Sequence, residues 1–129
     1  MARAVSMGSP QQYGYQYQAL AYVRSSYVTA PAAGSTLTSY TLPSGARGVV
    51  LAVLLDATEG NLFTIGWTSG GTSMSYVVRL PSSGVISYEF GPGLNIDAPA
   101  DPGSTITVSV NNAGSSGSNY KADLLIGLF

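Results

Sequence analysis

Cysteine and histidine are absent from this sequence, and charged residues make up only 9% of its 129 positions. Each shortage closes a class of function. Without cysteine there is neither a disulfide framework nor a thiolate site. Without histidine the commonest general base and the commonest transition-metal ligand are missing. The five basic residues, Arg3, Arg24, Arg47, Arg79 and Lys121, are spread singly along the chain. Nucleic-acid binding needs several cations in one patch to displace condensed counterions, so that class is set aside. Membrane attachment through a polybasic segment fails for the same reason. Long apolar runs are missing too: the longest, residues 48–55, has the length of a strand, against roughly 20 residues for a membrane helix. Residues 1–10 hold no apolar segment of secretory length, so no export signal is expected.

What is present is hydrophobic, at 45% of the chain, with Gly, Ser, Thr and Tyr in the place usually taken by Lys and Glu. That supply allows one real core, and the length is that of a single domain. The hydrophobic period is two. Phe63, Ile65 and Trp67 alternate with Thr64 and Gly66; Met74, Tyr76, Val78 and Leu80 with Ser73, Ser75 and Arg79; Ile106, Val108 and Val110 with Thr105, Thr107 and Ser109. Such runs are half-buried strands. Turn signals separate them, among them Pro43-Ser44-Gly45, Ser69-Gly70-Gly71, Gly91-Pro92-Gly93 and Asp101-Pro102-Gly103, where Gly and Pro reverse the chain at little steric cost. The pattern predicts strands over 15–24, 35–42, 47–56, 62–67, 74–80, 85–90, 104–110 and 120–128. About eight short antiparallel strands indicate an all-β domain, a single β-sandwich or jelly roll over residues 15–129.

Two strands are apolar on both faces. Val49, Leu51, Val53 and Leu55 alternate with Val50, Ala52 and Leu54, and Leu124, Ile126 and Leu128 oppose Leu125 and Phe129. A strand of that kind must be covered twice. The cover is either a long loop of the same subunit or a neighbouring subunit, and the scarcity of charge favours the second. Val50, Leu54, Leu125 and Phe129 are therefore interface candidates. The ladder of Tyr13, Tyr15 and Tyr17 joins them, because tyrosine is enriched at protein contacts. Residues 1–14 read equally well as a frayed terminus or as an arm that orders on a partner.

Chemistry is thinly supplied. The carboxylates are Asp56, Glu59, Glu89, Asp97, Asp101 and Asp123, and none is written as the facing pair a glycosidase needs. Serine has no nucleophile elbow and no histidine to activate it, so an enzyme is not expected. Asn95, Asp97 and Asp101 share one loop and could offer oxygens to Ca²⁺. The same residues also start turns, and that reading is preferred, with no metal or cofactor expected. Trp67 shares a face with Phe63 and Ile65, which marks a core residue rather than a sugar platform.

Residues 48–58 (Gly-Val-Val-Leu-Ala-Val-Leu-Leu-Asp-Ala-Thr), Phe63 to Trp67, residues 83–90 and residues 102–110, closed by an apolar C-terminal strand, give the order of a known group. It resembles the small β-sandwich head-decoration, or cement, proteins of tailed phages and related viruses, and the wider tumour-necrosis-factor-like jelly-roll trimers. The resemblance implies a homotrimer on a virion surface, made in the host cytoplasm, that clamps neighbouring subunits of the major capsid protein. It implies no catalytic residues. Two alternatives stay open: a pilus or filament subunit assembling by strand donation, and a carbohydrate- or receptor-binding module of a spike.

Overall fold

The computed structural model describes residues 17–129. Nine strands form among them: β1 Ala19–Val23, β2 Val28–Thr29, β3 Thr36–Thr41, β4 Gly48–Ala57, β5 Asn61–Ser69, β6 Thr72–Leu80, β7 Gly84–Glu89, β8 Thr105–Val110 and β9 Asn119–Leu128. No helix forms among these residues. The predicted strands all occur, within a few residues at their ends. β1 starts later than expected, and the two-residue β2 is too short to show a period of its own.

The strands lie in two antiparallel sheets. One runs β1-β9-β4-β7, with β2 continuing the line of β1 along β9; the other runs β3-β8-β5-β6. With β1 and β2 taken as one broken strand, this is the order of a jelly roll, two Greek keys wound into a sandwich. Consecutive strands repeatedly cross from one sheet to the other, so the core is built from residues far apart in sequence. The β5–β6 hairpin is the local exception. Ser69 pairs with Thr72 across a two-residue loop, and Gly70 and Gly71 both have positive φ, which that tight turn requires.

Alternation then fills the space between the sheets. Val53, Leu55, Ala57, Tyr120, Ala122, Leu124 and Ile126 from the first sheet meet Leu37, Phe63, Ile65, Val78, Ile106, Val108 and Val110 from the second. Trp67 joins the core, with its indole N–H donating to the Ala98 carbonyl at 2.9 Å. The Thr38 hydroxyl donates across the sandwich to the Ala122 carbonyl, so one buried polar group on each sheet satisfies the other.

One strand departs from the sequence pattern. A bulge between Val50 and Ala52 shifts the register of β4 against β9. An extra residue reverses the facing of everything after it. Val50 therefore enters the core together with Val53 and Leu55, where strict alternation had put it on the opposite face from them. Val49, equally buried, lies on the other side, under Gly93. Val50 is thus a core residue and not a surface candidate.

Candidate functional site

The outer face of the β1-β9-β4-β7 sheet is the part of the molecule that a single core leaves unexplained. Residues directly opposite one another in an antiparallel sheet share a face, so the register defines its rows. Leu20, Gly127 and Val49 form one row, Tyr22, Leu125, Ala52 and Glu89 the next. Asp123, Leu54 and Ser87 follow, then Lys121, Asp56 and Val85. Leu20 is 62% exposed, Tyr22 59% and Val85 62%. Ala52, Leu54 and Leu125 are half-buried and line a shallow pocket of about 200 Å³ with Tyr22, Ser87, Asp123 and Leu124. Exposed Leu20, Tyr22 and Val85 thus share this face with Glu89, Ser87, Lys121 and Asp56.

The lining of this pocket includes a carboxylate. Asp123 interrupts an apolar strand, and it is only 2% exposed although it points away from the core. The segment after β1 folds over it. The Ser25 amide donates to Asp123 Oδ1 at 2.9 Å, while the Tyr22 hydroxyl and Lys121 Nζ each reach Oδ2 at 3.3 Å. Beside it the Tyr27 hydroxyl donates to Asp56, and Lys121 Nζ lies 5.9 Å from the centre of the Tyr27 ring. The bond to Asp56, then burial and the charges of Asp56 and Asp123, hold the Tyr27 proton on and raise its pKa.

The structure separates the residues that the sequence grouped. Leu54 and Leu125 do come together, across the outer rows. Tyr13 and Tyr15 lie outside the described residues, as does the expected arm over 1–14. Tyr17 lies on the same face at its border. Its ring covers the backbone of Gly127, where any Cβ would come within 2.7 Å of it. Its hydroxyl donates to the Pro92 carbonyl, and it meets Phe129 edge-on at 6.4 Å. Both are engaged within the chain here. Asp123 and Tyr22 were not singled out from the sequence, though a carboxylate directly before the two-sided apolar run 124–129 was the signal to follow.

The remaining polar clusters brace the ends of the sandwich. Asn95 is buried, accepts the Val50 amide at 2.7 Å and donates to the Gly48 carbonyl at 3.3 Å. It pins the 91–100 loop along the upper edge of β4, beyond the reach of β7. Asp101 takes the amides of Gly70 and Gly71 at 2.8 and 2.9 Å and an ion pair from Arg47 at 3.3 Å. The Gly71 and Gly70 amides, more than Arg47, hold its carboxyl below the usual range. Asn95 and Asp101 are thus committed to different, distant backbone segments. At the other end Glu59 accepts the Tyr120 hydroxyl at 2.6 Å and the Ser115 amide at 2.9 Å. Those bonds lower its pKa, and burial followed by Glu59 raises that of Tyr120.

The sequence matches no protein-family model and no curated protein. A solved structure similar to part of it is the C-terminal domain of A223, a structural protein from Sulfolobus turreted icosahedral virus. It is 18% identical over 84% of this chain and 98% of that one, with a TM-score of 0.38. At that identity and score nothing about function passes from one to the other.

Proposed function

We propose that this protein is a virion structural component that decorates or cements a capsid by bridging coat subunits. The observation that carries the reading is the outer face of the β1-β9-β4-β7 sheet, where exposed Leu20, Tyr22 and Val85 stand with half-buried Ala52, Leu54 and Leu125 among a few charged side chains. Such a surface stabilises by being buried, at roughly 25 cal/mol per Å² of apolar area. Repetition over a lattice multiplies a modest gain per copy. The cement-protein resemblance of the sequence and the scarcity of charge point the same way. Asp56, Glu59 and Asp101 each accept hydrogen bonds from their own chain, which accounts for them as braces. Trp67, at 8% exposure, offers no sugar platform. The first sheet is paired continuously from β1 to β7, which leaves no strand-wide gap in it for a donated strand.

Cover by a second copy, as a homotrimer, is the other way this face is closed, and light scattering separates the two. The deciding experiment heats complete particles beside particles lacking the protein. Release of the genome at a lower temperature from the depleted particles, restored by adding the purified protein, is the expected result. Equal release temperatures with no rebinding to the bare shell defeat the reading.

A further inference from the structure

We propose that the pocket around Asp123 is a socket for one basic side chain, lysine or arginine, presented by the coat subunit. This rests on the cementing reading and names the chemistry of its partner. The pocket has the shape of such a side chain's two needs. Leu54, Leu125 and Ala52 give the lining apolar surface for a methylene stem, and Asp123 gives it a carboxylate. Lysine and arginine bury their stems along apolar surface in this way while the head finds a polar partner.

Two further observations select a cation. The cost of taking Asp123 out of water is met on folding, since it is 2% exposed before any partner arrives. An incoming cation therefore meets a desolvated carboxylate, where a charge-assisted hydrogen bond is strong. Oδ2 accepts the Tyr22 hydroxyl and forms an ion pair with Lys121, each at 3.3 Å, so an incoming cation shares that oxygen with Lys121 or displaces it. The charge of the face agrees. Its rows place Asp56, Glu89 and Asp123 against Lys121, three of the chain's six carboxylates and one of its five basic residues. Arg24, exposed just beyond β1, is a cation at its border. An acidic ridge would be repelled.

The test titrates isotope-labelled full-length protein with n-butylguanidinium and with n-pentanol, a neutral chain of similar length. Saturable amide shifts confined to Ala52, Leu54, Ser87, Asp123 and Leu125 are expected with the cation, in the roughly millimolar range of one side chain. Asp123→Asn should weaken them about tenfold. Ser87 is exposed and stands in the row of Asp123, so Ser87→Arg fills the socket from within without touching the core. It should abolish the shifts even where Asp123→Asn fails to fold. No shifts, equal shifts with pentanol, or shifts unchanged in both variants overturn the socket. Both variants are then tested for binding to bare shells. Loss of binding by Ser87→Arg supports the assignment. Undiminished binding overturns the socket and leaves cementing intact. Selective shifts in a wild-type protein that binds no shell sink the cementing reading instead. An oligomer that Ser87→Arg reduces to the 13.2 kDa chain shows that a second copy supplies the cation, and overturns the coat assignment.

Discussion

The two outer faces of this sandwich are built on the same alternation and carry opposite chemistry. On the β3-β8-β5-β6 sheet the outward rows read Ser39, Thr107, Gly66 and Ser75, then Thr41 and Thr105, then Ser109, Thr64 and Val77. Three of its hydroxyls bond within the face or to a neighbouring loop: Thr41 and Thr105 lie 2.9 Å apart, and Thr64 donates to Asn111 at 2.6 Å. Leu62, Val77 and Arg79 interrupt this hydroxyl surface at the β5–β6 corner. On the β1-β9-β4-β7 sheet the same positions hold Leu20, Tyr22, Leu54 and Leu125 around a sunken carboxylate. A sheet needs one buried face for stability, and water accepts a hydroxyl-covered second face without cost. Leu20, Tyr22 and Val85 of the other face stay exposed, apolar side chains that the core does not account for.

The largest effect separates the inside of β9 from its outside. Leu124 lies in the core and Leu125, its neighbour, points outward. Leu124→Ala should cost about 2–5 kcal/mol in chemical denaturation through transfer and cavity terms. Leu125→Lys should cost about 1 kcal/mol or less and yet abolish shell binding. Equal losses of stability would mean that the outer face belongs to the core, and the contrast would collapse.

Next comes the bracket that holds the 91–100 loop beside the apolar face. Asn95→Ala leaves the Val50 amide and the Gly48 carbonyl without their side-chain partner. The expected cost is about 1–3 kcal/mol by denaturant melting. Faster hydrogen exchange at Val50 should accompany it. An unaltered Val50 amide would show that the loop is held by its backbone bonds alone.

A smaller effect appears in acid. The Tyr120 hydroxyl and the Ser115 amide keep the folded-state pKa of Glu59 below its ordinary value of 4.5. Ionised Glu59 thus contributes stability above that value, and the contribution is lost as the pH falls through the lowered pKa. Between pH 5 and pH 3, roughly the window of that titration, the wild type should lose more melting temperature than Glu59→Gln. Asp101, whose pKa is also lowered, remains in both proteins and cancels. Parallel curves would remove Glu59 from the acid limb.

The smallest effect tests the hydroxyl face. Thr107→Val should change stability by no more than about 0.5 kcal/mol and leave shell binding as it was. A loss of binding comparable to that of Leu125→Lys would place the contact on the wrong sheet.

Much of the fold was legible because it is local. Period-two runs such as Ile106-Thr107-Val108 mark strands wherever one face is buried, and the Gly70-Gly71 pair marks a turn that few other residues could make. Trp67 was legible as core from its companions Phe63 and Ile65. The candidate site was legible only in part: Leu54 and Leu125 stood out as apolar residues on strands already apolar on the other face. Val50 was misplaced, because a bulge leaves no mark in a run of apolar residues, where either facing reads alike. β2 was missed because two residues show no period.

By itself the sequence determined the class of this protein, its strands and most of its core, since alternation and turn chemistry act between neighbours. It also closed off whole chemistries through the cysteine and histidine it lacks. Tertiary structure alone decided the strand order, the facing of Val50 and the burial of Asp123. Those outcomes depend on pairs far apart in the chain, Ser25 with Asp123 and Ala52 with Leu125 among them. The hydrogen bond that gives Asp123 its place is closed across 98 positions, and no pattern of neighbours encodes it.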